Sequence, residues 1–529
     1  MNFLKIIKKP ITIKPFILLY IFNLTIILGI ILGSLPREMI LGSAFLIFLY
    51  LFLMNLDDCF LFFLTSIPFF VALPISRGFD SLNIWRIAII IIFTRYFFVV
   101  FPIKNWFSLL WLKKISGTIF CRLRKNKVEL WVVVYFLIGA LSILVAHDKI
   151  VAIKRLFYVF QMILVYPLVL HILKNKKLLL KVIKYITFSG FLVGVVALIQ
   201  LIFAYFTSLE IFWSFWAWQV EKIFYGQNLA EIVSKSNTWF SYYSGRAPTL
   251  RLFSTFTDSH SFALYLVLFS PLLLWFLAKE YLKDKKINKK VVLLGMIFLL
   301  VQFFIALSGT RGIWLSVGAP LSMCIYFLLR KKEIKLIKYI ALGITSFIIV
   351  LLLSSPFLAI PQFNIRSDKI DQTLTLKRLK SIIDIGETSN KGRIYIWKKS
   401  VESILENPIL GVGIGNFPII LGENVELQKA GSTAHNVYLN SGVEMGIIGL
   451  VVIVAIFLEI LKKCYFFFRE KTSNIYYLLP IFFGFYFLWI FTYSLFDVAI
   501  FDARVMMFFV AEVAIVIKLT ELKGNNVAL

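Results

Sequence analysis

The stretch VIKYITFSGFLVGVVALIQLIFAYF, residues 182–206, decides the fold class of this chain. It contains one basic and no acidic side chain. A helix of this length covers about 37 Å at roughly 1.5 Å per residue, which exceeds the ~30 Å hydrocarbon core of a bilayer. A strand of a membrane barrel needs only about 10 residues. The stretch therefore predicts a helix that spans a membrane.

The rest of the chain has the same character. Of its 529 residues, 60% are hydrophobic and 17% aromatic, and its mean hydropathy is +0.87. A soluble domain is nearer half apolar, with about a quarter of its residues charged. Because backbone groups in hydrocarbon must be satisfied within helices, the composition predicts an all-α, polytopic transmembrane bundle.

Fourteen apolar segments have the length of a membrane span, although the third and the last are short and twelve spans is the alternative. The segments are residues 15–34, 38–56, 60–75, 84–103, 128–146, 151–173, 182–206, 259–278, 291–307, 312–329, 336–354, 441–461, 476–495 and 505–518. The first follows four lysines and has no obvious small-residue cleavage site, so we expect a span there and not a cleaved signal peptide.

The formal net charge of +28 arises from Lys and Arg between the spans, which indicates membrane topology and not nucleic-acid binding. Alternate connections carry the basic excess, and cytoplasmic loops are the basic ones. The basic connections are residues 104–127, 174–184, 279–290, 330–338, 462–471 and 518–523. This pattern predicts cytoplasmic termini. The short connection at residues 57–59 should also be cytoplasmic in this topology, but it has no basic residue.

Two long connections then lie outside, residues 207–258 and 355–440, which divides the chain into an N-terminal region 1–258 and a C-terminal region 259–529. The first is aromatic, which favours anchoring in the headgroup layer, with stacking on sugars as the alternative. Its aromatic residues are Trp213, Trp216, Trp218, Trp239, Phe240, Tyr242 and Tyr243. In the second, residues 392–406 have apolar side chains at helical spacing and predict an amphipathic helix that ends at Asn407-Pro408.

The chemically capable residues on the predicted outer side are Arg251, Arg311, Arg393 and His435. An arginine beside a span can simply reach the headgroups. Several arginines where basic residues are otherwise sparse favour an anion site, because guanidinium binds phosphate bidentately. A lone histidine is more often structural, but one between a polar loop and a span can act as a base. The four cysteines show no metal or disulfide spacing.

These residues lie in motifs that resemble the superfamily of O-antigen ligases and polymerases, which are membrane glycosyltransferases. The resemblance covers about the last 280 residues. His435-Asn436, nine residues, Gly446, two residues and Gly449 match the ligase signature. SGTRG at 308–312, GRIYIW at 392–397 and NPILGVGIGNF at 407–417 are also similar. The segment RLFSTFTDSH, residues 251–260, departs from the family pattern because Ser254 replaces a glycine and Ser259-His260 replace Pro-Asn.

The resemblance implies transfer of a glycan from undecaprenyl diphosphate to an acceptor hydroxyl on the periplasmic or outer face of the cytoplasmic membrane. Arg393 and Arg311, with Arg251, would bind the diphosphate, and fixed cations lower the barrier as charge grows there. His435 would take or orient the acceptor proton. No Asp-x-Asp pair occurs in either outer loop, so we expect a reaction without metal or cofactor. A single displacement would invert the anomeric centre. His147 and His260, the other outer histidines, are comparison positions without an expected role.

The sequence is compatible with three functions. A ligase would transfer the glycan to lipid A core or another acceptor, and the complete signature favours it. A polymerase would join lipid-linked repeat units by the same donor chemistry. A transporter or flippase of lipid-linked glycan is the alternative of another class, and such proteins carry ionisable residues within their spans. Arg95, Lys154 and Arg155 fall within predicted spans, but repeated halves are not evident.

Overall fold

A computed structural model describes residues 15–76, 79–101, 121–235, 238–241, 248–330, 334–354, 357, 360, 362–364, 388–422, 433–469 and 475–524. Helices dominate this part of the chain. Its strands form two short antiparallel hairpins, β1 with β2 and β3 with β4. The predicted all-α membrane bundle is therefore confirmed.

The helices are numbered here in chain order. They are α1 (Pro15–Ile31), α2 (Met39–Leu53), α3 (Leu56–Ser66), α4 (Ile84–Val100), α5 (Lys127–Ser142), α6 (Lys149–Ile163), α7 (Val165–Ile172), α8 (Lys176–Phe206), α9 (Leu209–Ser214), α10 (Lys222–Tyr225), α11 (Gln227–Ser234), α12 (Ser259–Asp284), α13 (Lys289–Leu307), α14 (Arg311–Ser316), α15 (Gly318–Leu329), α16 (Ile334–Leu353), α17 (Thr388–Glu406), α18 (Val437–Arg469), α19 (Leu478–Tyr493) and α20 (Ala503–Gly524). The strands are β1 (Ala72–Leu73), β2 (Leu82–Asn83), β3 (Phe240–Ser241) and β4 (Thr249–Leu250).

Seven helical segments in the described part are long and apolar enough to cross a membrane. Three shorter apolar helices accompany them, Pro15–Ile31, Met39–Leu53 and Ile337–Leu353. Every predicted span overlaps a helix, but the segment 60–75 is not one continuous helix. There α3 ends at Ser66, a 3-10 turn follows and β1 begins at Ala72. Pro68 contributes to this end because it has no N–H to continue the helical ladder.

The centre of the bundle is α12, most of whose side chains are buried. It packs against α13, α19 and α20, while α18 packs against α5 and α19. The outer helices expose large apolar side chains such as Leu18, Phe45 and Leu137. Since hydrocarbon is the solvent of such a surface, this distribution fits a membrane protein.

The aromatic connection 207–258 is folded against the bundle. Trp216 and Trp239 are 3% and 0% exposed, and the Trp239 ring stacks on Phe253 with 4.5 Å between centroids. The indole of Trp239 donates to the carbonyl oxygen of Thr257 at 2.9 Å. Headgroup anchoring is therefore wrong for these two residues, because the core packs their rings and satisfies the Trp239 N–H. Tyr242 and Tyr243 lie outside the described residues.

The predicted amphipathic helix is α17, and it ends at Glu406, immediately before Asn407-Pro408. The apolar residues at helical spacing, Ile394, Trp397, Val401 and Ile404, are not all directed inward. Ser400 and Ile404 pack inward, whereas Ile394 and Val401 are 48% and 46% exposed. Positions separated by four residues share one face of a helix, and on this face Ile404 packs in one cluster with Val443 of α18.

Candidate functional site

His435 occupies the turn that opens α18. Its backbone is left-handed, with φ of 46°. The next residue caps the helix, because the Asn436 side-chain oxygen accepts hydrogen bonds from the backbone N–H groups of Tyr438 and Leu439 at 2.9 and 3.0 Å. The N–H of Val437 donates to the carbonyl oxygen of Ser494 at 2.8 Å. The imidazole is thus held between α18 and the end of α19, with its side chain 33% exposed.

Asp497 lies beside this imidazole, in the connection between α19 and α20. Its Oδ2 atom is 3.6 Å from His435 Nδ1 and 3.2 Å from His260 Nδ1. Its Oδ1 atom accepts from the backbone N–H of Ala499 at 2.9 Å. Burial alone would raise the pKa of Asp497, but His260, His435 and Arg393 outweigh it and hold that pKa well below its usual range. The carboxylate is therefore ionised and faces two imidazoles.

No sequence motif marks Asp497 as a functional residue. The available signal was a carboxylate in the short connection after the predicted span 476–495, on the same predicted side as His435. That position alone does not identify a partner for the histidine. The connection also contains Asp502, and burial raises its pKa to about 6.

His260 belongs to the same cluster, so the expectation that it is an uninvolved comparison position is wrong. Its Nδ1 atom lies 3.0 Å from the hydroxyl oxygen of Tyr493, and its Nε2 atom lies 3.2 Å from Nη2 of Arg251. The Nε–H of Arg251 also donates to the carbonyl oxygen of Ser308 at 3.1 Å. Arg251, predicted to bind diphosphate, is thus directed to a histidine and a backbone carbonyl.

Arg311 and Arg393, the other two predicted arginines, line one cavity of about 220 Å³. Arg311 is the first residue of α14, and Arg393 projects from α17. Phe496, which precedes Asp497, forms another part of the wall. The lining residues are Arg311, Gly312, Leu315, Asn390, Arg393, Ile394, Trp397 and Phe496. Two guanidinium groups beside the histidine and carboxylate pair make this cavity suited to a phosphorylated group.

The glycines of the signature have a structural purpose. At Met445 and Gly446 the backbone of α18 departs from helical angles, and φ of Gly446 is 69°. A Cβ atom on Gly446 would lie 2.5 Å from the carbonyl oxygen of Pro408, so a side chain cannot fit there. The N–H of Ile447 donates to that same oxygen at 2.8 Å. The break in α18 therefore receives the 407–417 segment, which follows the arginine-bearing helix.

The arrangement combines an imidazole, a carboxylate oxygen 3.6 Å from its Nδ1 atom and a cavity lined by two guanidinium groups. A carboxylate at one imidazole nitrogen favours the tautomer in which the other nitrogen can accept a proton. Fixed guanidinium groups stabilise negative charge that develops on a leaving group. Among the residues that the structure describes, no three His, Cys, Asp or Glu side chains are grouped to hold a metal ion. The site is equipped for displacement of an anionic leaving group by a hydroxyl.

Comparison with known proteins agrees with the resemblance seen in the motifs. Residues 294–454 match the family model described as O-Antigen ligase. This region contains Arg311, Arg393 and His435, whereas Arg251 precedes it and Asp497 follows it. The chain is also 24% identical over 211 residues to an uncharacterized protein of Haemophilus influenzae. That match covers 38% of this chain and 47% of the relative, so the chain spans about half the length of the curated relative it matches.

Proposed function

We propose that this chain, whose residues 294–454 match the O-antigen ligase family model, is a membrane glycosyltransferase that moves a glycan from undecaprenyl diphosphate to an acceptor hydroxyl. The observation that carries the proposal is the pairing of His435 with the buried Asp497 beside a cavity lined by Arg311 and Arg393. The reaction would take place on the outer side of the cytoplasmic membrane, where the basic connections predict this site to lie.

The roles follow from the chemistry of each group. The oxygen of the acceptor hydroxyl attacks the anomeric carbon, and the bond from that carbon to the diphosphate oxygen breaks. The electron pair leaves with the diphosphate, whose growing charge is stabilised by Arg311 and Arg393. The hydroxyl proton passes to Nε2 of His435, and the imidazolium that forms is stabilised by Asp497 at its Nδ1 side. A single displacement of this kind inverts the anomeric centre.

A second cavity supports a lipid-borne donor. It has a volume of about 300 Å³ and lies among α5, α6, α18 and α20. Its lining runs from Val437, two residues after His435, to Leu123 and Glu129, and almost all of it is apolar. We assign part of the isoprenoid chain to this cavity, because it gives an apolar surface that begins next to the proposed base.

Within this chemistry we favour a ligase that acts on lipid A core, because the complete His-Asn and Gly-x-x-Gly signature is present. The polymerase alternative uses the same donor and takes a second lipid-linked unit as acceptor. The transporter alternative receives less support from the ionisable groups that suggested it. Arg95, for example, donates to the carbonyl oxygen of Met54 at 2.7 Å and so serves to close the end of α2.

The test is reconstitution of the purified full chain with undecaprenyl diphosphate-linked glycan in EDTA, with lipid A core or a second lipid-linked unit as acceptor. We expect inverted product with lipid A core and undiminished turnover in the chelator. Product with the lipid-linked unit alone would establish the polymerase instead. Absence of product with both acceptors, or activity that EDTA abolishes and magnesium restores, would refute the proposed reaction.

A further inference from the structure

His260 lies between a cation and a carboxylate. Its Nε2 atom is 3.2 Å from Nη2 of Arg251, and its Nδ1 atom is 3.2 Å from Oδ2 of Asp497. The sequence has His260 where the resembled family has the Asn of its Pro-Asn pair. A titratable ring therefore replaces a neutral amide at a position that contacts the carboxylate of the site.

Burial disfavours a charged ring here, and the contacts indicate which nitrogen carries the single proton. A guanidinium group has five N–H donors and no acceptor. Nε2 of His260 must therefore accept the hydrogen bond from Arg251, and it carries no proton of its own. The ring proton is then on Nδ1, which faces Asp497 and the hydroxyl of Tyr493. In this arrangement His260 is neutral, its Nδ1–H is hydrogen-bonded to the Tyr493 hydroxyl, and Oδ2 of Asp497 lies 3.2 Å from the same nitrogen.

This neutrality matters because two imidazoles share one carboxylate oxygen. Asp497 Oδ2 lies 3.2 Å from His260 and 3.6 Å from His435. If His260 gained a second proton, its imidazolium would neutralise Asp497 and repel a second positive ring. The two rings would then titrate as a coupled pair. With His260 neutral, the negative charge of Asp497 is available to His435 when that residue takes the acceptor proton.

We propose that Arg251 and His260 are positioning residues: Arg251 keeps His260 neutral, and neutral His260 holds Asp497 so that its charge serves His435. This proposal rests on the proposed function. It assigns Arg251 a role different from the diphosphate binding inferred from the motif. Arg311 and Arg393 line the cavity suited to phosphate, whereas Arg251 is not among its lining residues.

The path of Arg251 supports this role. Its Nε–H donates to the carbonyl oxygen of Ser308, and its side chain crosses Gly309, whose φ is 64°. A Cβ atom on Gly309 would lie 3.3 Å from Nε of Arg251, which is tighter than ordinary contact. The SGTRG motif thus places one arginine against His260 through Ser308 and Gly309, and supplies another, Arg311, to the cavity.

The test is a double-mutant cycle of Arg251→Met and His260→Asn in the full-length protein, with donor KM and the pH profile of kcat measured for each variant. We expect Arg251→Met alone to lower kcat by about tenfold or more, a part of what base assistance contributes. At low pH, protonation of one group should limit the kcat of the wild-type protein. Protonation of two groups should limit the kcat of Arg251→Met, because His260 now titrates. Donor KM should stay within about twofold, as expected when the lost interaction does not bind substrate.

In the His260→Asn background the same Arg251→Met change should alter kcat by no more than about twofold, because the amide cannot be protonated. The other charged groups near the ring, Asp258, Arg393 and Asp497, are unchanged throughout. Arg251→Lys keeps one donor for Nε2 of His260. Protonation of only one group should therefore limit the kcat of this variant at low pH. This variant, checked for folding by size exclusion, gives a result even if Arg251→Met does not fold.

An equal rise of donor KM on Arg251→Met in both backgrounds would overturn the proposal and make Arg251 a diphosphate ligand. An equal fall of kcat in both backgrounds would overturn it as well and show a structural role. The proposal is also wrong if protonation of two groups limits the kcat of Arg251→Lys at low pH. Failure of the proposed function can be distinguished from these outcomes. In that case the wild-type protein, which is measured first, would show no glycan transfer.

Discussion

The indole Nε1–H of Trp397 donates a hydrogen bond to the carbonyl oxygen of Ala434 at 2.9 Å. This contact joins α17, which bears Arg393, to the turn that bears His435. Ala434 is fully buried, and its own N–H faces the side-chain oxygen of Asn440 at 3.3 Å. This hydrogen bond, together with the packing of α17 on α18, therefore sets the spacing between the proposed phosphate ligand and the proposed base.

Replacement of Trp397 by Phe keeps an aromatic ring and removes the donor. We expect kcat to fall between about tenfold and a hundredfold, because small misplacements of reacting groups have large effects on rate. Steady-state kinetics on the purified variant measures this. Tyr395→Phe is the matched control, since Tyr395 lies on the same helix and is 58% exposed. Equal rates for Trp397→Phe and wild type would show that this contact does not set the geometry.

Replacement of Arg393 by Ala should lower turnover by on the order of a hundredfold or more, the effect of removing a group that stabilises a developing anion. Lys should restore only part of the rate, because it lacks the bidentate fork. Lys398→Ala is the control on α17, as Lys398 is exposed. Normal turnover of a well-folded Arg393→Ala protein would contradict the phosphate role.

The sequence predicted most of the helices because their signal is local. Long apolar runs separated by basic connections define the spans, and α17 ends where Asn407-Pro408 predicts. The wrong prediction for the aromatic connection also has a physical cause. Burial of Trp216 and Trp239 depends on how the 207–258 connection folds back, and aromatic composition is the same for a membrane anchor and a packed core.

The site was predicted in part for the same reason. Arg311, Arg393 and His435 stand in local motifs, and the structure brings two of them into one cavity and the third next to it. Asp497 and His260 stand in no motif that marks them as partners of His435. The contact between His260 and Tyr493 joins residues 233 positions apart. Such contacts are set by the packing of α12 against α19, which no local pattern encodes.

The predicted membrane orientation can be tested with the protein's own cysteines. Cys121 is exposed and the other three are buried. We expect an impermeant maleimide to label Cys121 only after the cytoplasmic face is opened, because residues 104–127 form a basic connection. In a Cys121→Ser background, Ser389→Cys on α17 should be labelled in intact cells. Labelling of Ser389→Cys only after permeabilisation to the cytoplasm would reverse the topology and refute an outer site.

Replacement of Asp497 by Asn should reduce kcat by about a hundred- to ten-thousand-fold, because the imidazole loses the carboxylate that orients it and stabilises its charged form. Donor KM should change little. Glu231→Gln, on the exposed part of α11, is the control. Wild-type turnover in Asp497→Asn would remove the carboxylate from the mechanism.

The low pKa of Asp497 leads to a prediction about how stability and reaction rate depend on pH. It is lower in the folded protein than in an unfolded chain, so its contribution to stability is present above about pH 4 and is lost as the pH falls through the folded value. Asp497 is therefore ionised throughout an ordinary assay range. The acid limb of the wild-type rate profile should arise from a group other than Asp497, and it should still be present in whatever activity Asp497→Asn retains.

Replacement of His435 by Ala or Gln tests the mechanism most directly. General-base assistance contributes about a hundred- to ten-thousand-fold, so turnover should fall by that factor while binding of the lipid-linked donor is nearly unchanged. The residual rate should rise with pH, because the acceptor hydroxyl must then ionise without help. His147→Ala is the appropriate control, since His260 contacts Asp497 and is part of the cluster. Kinetics combined with a donor-binding measurement separates the two steps. Wild-type rates in both His435 variants, or loss of activity explained entirely by loss of donor binding, would exclude His435 as the base and leave Asp497 with a structural role in the turn before α18.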